Sequence, residues 1–277
     1  MTTAIVTDST ADISFEIQRR YPLYLVPALL VINGRSYRDG EQLPRESFYR
    51  ELPDYQILPT TAAPSVGEFQ RLFQQIFAAG FSKIIAIHAA SNLSGIYNSS
   101  RLAAREFSQE IRVVDSEQLS WGLGFQVLAA AEAAAQSWSV QDILDLISEI
   151  QGKIHVYALL DSFEYVQRSG RVSWLKARFG SLLQVKPLIQ LERGSVLKGG
   201  MARSRAQGEK MLLEKINSLG SLASLVILHT NPTGDGLDPF LKRAAALTRL
   251  EPRLVPVTTI IGTHVGPNGL GFAAMVK

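Results

Sequence analysis

The pattern that most constrains this chain is the regular return of short apolar runs, each closed by small polar residues and followed by an amphipathic helix. Residues 4–7 (AIVT) end in Asp8-Ser9-Thr10, and Lys83–His88 (KIIAIH) runs into a serine-rich loop. Ile111–Val114 ends in Asp115-Ser116, and His155–Leu160 closes the series. Strands this uniformly apolar are buried on both faces, as in a parallel sheet covered by helices. The alternation of strand, loop and helix predicts that arrangement for the first half of the chain. In such sheets ligands sit beyond the carboxyl ends of the strands, so Thr10, Ser94 and Ser116 are expected near one another.

The helices announce themselves. Ser65-Val-Gly-Glu68 has the spacing of a capping box, and Val66, Phe69, Leu72, Phe73, Ile76 and Phe77 then follow helical spacing up to Gly80. Further helices are predicted over 14–21, 44–52, 96–107, 122–137 and 140–151. Leu23–Ile32 is apolar and β-prone, and Asn33-Gly34 after it is a hairpin signal. Beyond residue 160 the order changes. A helical stretch over Ser162–Phe179 is followed by consecutive strands at Gln184–Leu191 and Ser195–Lys198, then a helix over Arg205–Ser218. Strands at Leu225–His229, Leu254–Thr259 and Phe272–Val276 alternate with a helix at Asp238–Leu250. Consecutive strands mixed with helices predict a second, α+β domain with a mixed sheet. The expected division is 1–157 and 158–277.

Charge is distributed unevenly. Residues 1–155 carry 12 Lys and Arg against 17 Asp and Glu, while 156–277 carry 16 against 8. The window Arg168–Arg205 holds nine basic residues and one acid, Glu192, which suits an anionic partner. No recognition-helix or RNP pattern accompanies it, so nucleic acid is not expected. The absence of cysteine excludes thiolate chemistry and Cys-based zinc. MTTAIVTDST lacks the charged and apolar regions of a signal peptide, and no uncharged run approaches the length of a membrane span; a cytoplasmic protein is expected.

Three segments can carry chemistry. TTAAPS (Thr60–Ser65) and SNLSGIYNSS (Ser91–Ser100) each open what reads as a helix, pairing small hydroxyls with unpaired backbone N–H groups. Such helix starts hold a small anion without fixed positive charge. Ser94 reads as a helix N-cap, which is compatible with contact to a ligand, since Gly95 leaves the backbone open to close approach. The third segment, IGTHVGPNGLG (Ile261–Gly271), reads as a glycine-rich loop in which His264 is the best placed of the four histidines for a functional donor. His88, His155 and His229 fall in or at the ends of apolar strands. There is no nucleotide-binding P-loop, no G-x-G-x-x-G after a strand, no histidine pair spaced for zinc, and no G-x-S-x-G elbow around Ser94.

Taken in order, DSTAD (8–12), TTAAPS (60–65), SNLSGIYNSS (91–100), VDS (114–116), SGR (169–171), KP (186–187), the Arg203/Arg205 segment and IGTHVGPNGLG (261–271) resemble the DegV family of bacterial fatty-acid-binding proteins from end to end. The resemblance implies two α/β domains enclosing a long-chain fatty acid of the palmitate or oleate type. Thr61 and Ser94 would hold its carboxylate, with His264 close by. It further implies a carrier without catalysis or cofactor of its own. The carrier delivers its ligand to a separate ATP-dependent fatty acid kinase and retains the acyl phosphate, with Arg171 and Arg203 facing the phosphate or the kinase. Transient membrane contact for lipid exchange fits such a role. Ala62-Ala63 stand where the family often has Ser-Gln. The alternative from another class is a stand-alone Ser-dependent hydrolase or phosphotransferase.

Overall fold

The computed structural model describes residues 2–172, 185–231 and 233–277. The expected helix over 162–179 therefore lies partly outside the described residues. β1 (Thr3–Asp8) leads through a 3-10 turn (Ser9–Ala11) to α1 (Phe15–Gln18), β2 (Leu23–Val26), β3 (Leu29–Ile32) and β4 (Arg35–Arg38). α2 (Arg45–Glu51), β5 (Thr60–Ala62), α3 (Val66–Ala78), β6 (Lys83–His88), α4 (Ile96–Ala104) and β7 (Glu110–Asp115) follow, and α5 (Trp121–Ala135) and α6 (Val140–Gln151) complete the first half. The second half contains β8 (Ile154–Leu159), α7 (Glu164–Ser169), β9 (Lys186–Glu192), β10 (Ser195–Ala202), α8 (Arg205–Ser218) and β11 (Leu222–His229). It continues with α9 (Asp238–Thr248), β12 (Arg253–Pro256), α10 (Thr259–Val265) and β13 (Leu270–Val276).

The first sheet has the order β2-β1-β6-β7 and is parallel throughout. The second has six strands in the order β10-β9-β8-β13-β11-β12; only the β11–β12 pair is parallel. A third, small antiparallel sheet, β4-β3-β5, stands apart. The protein is thus α/β, with a parallel sheet and a mixed sheet, as the alternation predicts.

The apolar run Leu23–Ile32 divides between two sheets. Pro27 cannot donate a ladder hydrogen bond, and Ala28 instead gives its N–H to the Ser9 hydroxyl at 3.1 Å. β2 therefore pairs with β1, while β3 turns away to pair with β4 and β5. Asn33 and Gly34 take the positive φ values, 48° and 77°, that a two-residue hairpin demands.

β8 ladders only with β13 and β9. Residue 157 lies inside it, so a division at 157/158 cuts the second sheet. An apolar strand after a helix reads the same whichever sheet it joins. We propose the division in the turn at 152–153, where both sheets stay whole.

α5 fastens the halves together. It is buried on almost every face, packing on β1 and β6 and reaching β8 and β13. One continuous core accordingly runs from Val6 and Ile84 through Phe125 to Val156, Leu228 and Ala273. Among the described residues no helix is long and apolar enough to cross a membrane.

Candidate functional site: a cavity between the two sheets

A cavity of about 430 Å³ lies where the carboxyl ends of the first sheet's strands meet the second sheet. This is a volume usual for small-molecule sites. Ile96 and Ile260 line it together with Val156, Leu191, Leu228 and Leu270 of the second sheet. Its wall is overwhelmingly apolar. Thr61, Ser94, His264 and Arg171 are among the polar residues that line the same cavity.

Thr61 is delivered by β5, whose register sets it opposite Leu30. The TTAAPS segment is therefore a short strand followed by the capped start of α3, rather than a helix start alone. At Ser65 the capping box forms in full: its hydroxyl accepts from Glu68 N at 3.3 Å, and the Glu68 carboxylate accepts from Ser65 N at 2.8 Å.

Ser94 precedes α4, but the cap position itself is Gly95. The Ser94 hydroxyl still accepts from Ile96 N at 3.3 Å, leaving its own proton free to donate. Gly95 sits against Ala63, where an added Cβ would meet that residue's Cβ at 3.6 Å. Ala63 is thus part of a close seam between the two hydroxyl-bearing segments.

His264 belongs to α10 and not to a loop. Thr258 caps that helix by accepting from Ile261 N at 3.3 Å, and Gly266, at φ 79°, ends it. Gly262 has a packing role inside the helix: an added Cβ would lie 2.4 Å from the ring and hydroxyl of buried Tyr49. The imidazole Nε2 lies 2.9 Å from the Thr61 hydroxyl. Burial first, and then the charge of Arg171, push the His264 imidazole down to about 3, so the ring is neutral at neutral pH.

Arg171 lies across the loop at the cavity margin. Its Nη1 donates to the Ser169 carbonyl at 2.8 Å and its Nε to the Leu93 carbonyl at 3.5 Å, next to Ser94. Burial lowers its guanidinium from the ordinary value. Arg203 is elsewhere: it is exposed ahead of α8, its backbone N–H donates to Gln207 at 2.7 Å, and it does not line the cavity. Arg205 is held by Glu209 at 2.9 Å.

Of the residues expected together at the strand ends, Thr10 and Ser94 line the cavity, whereas the Ser116 hydroxyl is spent on the Gln118 backbone. His88 is fully buried on Asp8. His229 and Thr230 also line the cavity, which their strand-end position alone did not single out. Chemically the site is a mainly apolar cavity in which Thr61 is bonded to His264, and Ser94 lies next to the Leu93 carbonyl that Arg171 holds. Two hydroxyls, a neutral imidazole and one guanidinium converge there, and no histidine hydrogen-bonds Ser94 among the described residues.

Fold and cavity together define an α/β protein with a mainly apolar internal site where its parallel and mixed sheets meet. The family model described as an uncharacterised protein of the DegV family matches residues 2–277, and the chain belongs to that family. Protein DegV of Bacillus subtilis is 30% identical over 283 residues, covering 100% of both chains. A DegV domain-containing protein of Streptomyces coelicolor is 31% identical over 279 residues, covering 97% of this chain and 96% of its own. Among solved structures, DegV from Bacillus subtilis, described as a fatty acid binding protein, matches with a TM-score of 0.88 at 28% identity over 100% of both chains. A fatty-acid-binding DegV family protein from Thermus thermophilus matches with a TM-score of 0.91 at 26% identity, again over 100% of both.

Proposed function

We propose that this protein is a fatty-acid carrier: it encloses the acyl chain of a long-chain fatty acid between its two sheets and holds the carboxylate at the Thr61–Ser94–His264 end. The observation that carries this reading is the joining, in one cavity, of an apolar wall with a polar end made mostly of neutral donors. Each methylene moved out of water into such a wall contributes ~0.8 kcal/mol. A carboxylate in a partly dry site needs hydrogen-bond donors to stay ionised. Ser94 has one to offer, the hydrogen-bonded Thr61–His264 pair keeps one of its two protons for the ligand, and the Arg171 charge favours the anion. The two solved DegV structures described as fatty-acid-binding add support from relatives of this chain.

Native mass spectrometry of the protein should show a bound fatty acid. Thr61→Ala and Ser94→Ala should each weaken palmitate binding by roughly 1–3 kcal/mol, the loss of one hydrogen bond to a charged group. A protein that is repeatedly empty and takes up neither palmitate nor oleate sinks the proposal.

The resemblance carries the reading one step further, to a partner ATP-dependent fatty acid kinase that phosphorylates the bound carboxylate. Arg171, exposed at the margin yet bonded beside Ser94, is the cation positioned for the phosphate or the kinase. Arg203 stands outside the cavity and suits only the kinase contact. Arg171→Ala should cut acyl-phosphate formation in the presence of such a kinase while palmitate remains bound; unchanged phosphorylation removes that role.

A further inference from the structure

The DSTAD segment (8–12) is not accounted for by the head group itself, yet four of its five side chains make specific bonds. Asp8 ends β1, and its Oδ2 accepts from Ala89 N at 3.0 Å and from His88 Nδ1 at 3.1 Å. Its Oδ1 accepts from Thr10 N at 3.1 Å and from the Thr10 hydroxyl at 2.5 Å. From Ala89 the chain is fixed as far as Ser94: Ala90 N donates to Gln118 O at 3.0 Å, and Ser94 N donates to Ala90 O at 3.0 Å. Ser9 accepts from Ala28 N at 3.1 Å, immediately before β3, the strand that pairs with β5 and so places Thr61 opposite Leu30. Asp12, at φ 56°, accepts from Thr258 N at 2.7 Å and from the Ser120 hydroxyl at 2.5 Å. Thr258 is the cap of α10, the helix that carries His264.

We propose that Asp8, Ser9 and Asp12 are positioning residues. Through Ala89, Ala28 and Thr258 respectively, they set the three arms of the head-group pocket, those bearing Ser94, Thr61 and His264. As a statement about fatty acid affinity, this rests on the carrier reading above. As a statement about geometry, it holds for the ligand-free protein. The arms come from sequence positions far apart, and each is tied by one backbone N–H to one side chain of the same short segment. All three acceptors are almost fully buried. Removing one leaves a buried donor unpaired, and the arm moves to find water. His264 lies six residues beyond the Thr258 anchor, about 9 Å along a helix rising 1.5 Å per residue, so a tilt at the anchor reaches the imidazole undamped. A pocket built this way is pre-organised before any ligand arrives.

The test uses the intact protein and two readouts: the ¹⁵N signals of the His264 ring without ligand, and the palmitate dissociation constant. Asp12→Ala should shift the ring signals, reporting loss of the Thr61 bond, and weaken palmitate about tenfold. Asp12→Asn keeps an oxygen for Thr258 N–H and should restore both to near wild type. Ser9→Ala should weaken palmitate at least about fivefold. It also serves as the second variant should Asp12→Ala fail to fold. Ile147→Ala, in the core on the far side of the first sheet, should lower the melting temperature and leave both readouts unchanged. Wild-type ring signals in Asp12→Ala, wild-type affinity in Ser9→Ala, or the same changes in Ile147→Ala each overturn the proposal. A wild-type protein that binds no palmitate defeats the carrier reading alone, since the ring signals still report on the arms.

Discussion

Two buried titratable side chains at opposite ends of α10 oppose each other as pH changes. His264 is pushed from 6.5 down to about 3 by burial and then by Arg171. Its unfolded form takes up a proton first, so its contribution to stability is full above about 6.5 and is lost as pH falls toward 3. Asp12 is pushed from 3.8 up to about 7; burial and Asp39 raise it against the lowering effects of Arg45, Ser120 and the Thr258 N–H. Its folded form takes up the proton first, so stability grows as pH falls from 7 toward 3.8. Across pH 6.5 to 4 the two slopes have opposite signs, each at most about 1.4 kcal/mol per pH unit. Relative to wild type, His264→Gln should therefore gain stability on acidification across this range, and Asp12→Asn should lose it. Urea unfolding at pH 6.5 and 4.5 measures both. Parallel behaviour of the two variants would show that these groups do not titrate as their surroundings dictate.

At the scale of the element, α10 shows how a glycine can mislead. Gly262 and Gly266 in IGTHVGPNGLG read as loop punctuation, but only Gly266 breaks the backbone. Gly262 is small because the Tyr49 ring, buried and donating to the Val257 and Thr258 carbonyls, occupies the space beside it. Gly262→Ala should destabilise the protein by about 1–3 kcal/mol, because a fully buried aromatic has no room to yield. Because it displaces the helix that carries His264, it should also weaken palmitate. Thermal melts and a binding isotherm check the two parts; a neutral substitution would mean that Tyr49 repacks. Local signals were legible: the Ser65 capping box, the Asn33-Gly34 turn and the span of α8 follow from neighbouring residues. The Thr258 cap was also readable in principle, as a hydroxyl ahead of an apolar pair, but Leu254–Thr259 looked like one strand. The three-residue β5 is too short for alternation to reveal.

At the scale of the whole molecule, the missing information is non-local. The strand pattern of the first half dictates a parallel sheet, and the change of rhythm after residue 160 dictates a mixed one, so the architecture is legible. Membership of β8 in the second sheet is not, because an apolar strand carries no mark of its partner. Ser94 and His264 could be singled out from their own segments and Thr61 only through resemblance, but that all three line one cavity depends on separate elements coming together. The exposed position of Arg203, away from that cavity, could not be read from a window of basic residues. Charge patterning gives the composition of a surface, not the direction in which each side chain faces.

The position of β13 has a consequence for how the chain is made. It lies between β8 and β11, so the second sheet has no centre until residues 270–276 have been synthesised. The strands of the first sheet are complete by residue 115 and the helices α5 and α6 that cover it by residue 151, so it can assemble while the rest is still being made. His264, only a few residues ahead of β13, arrives in the same late interval. The cavity is therefore the last part of the protein to exist. Until then its apolar walls are open, and a nascent chain stalled before residue 270 should behave as a client for chaperones rather than as a container.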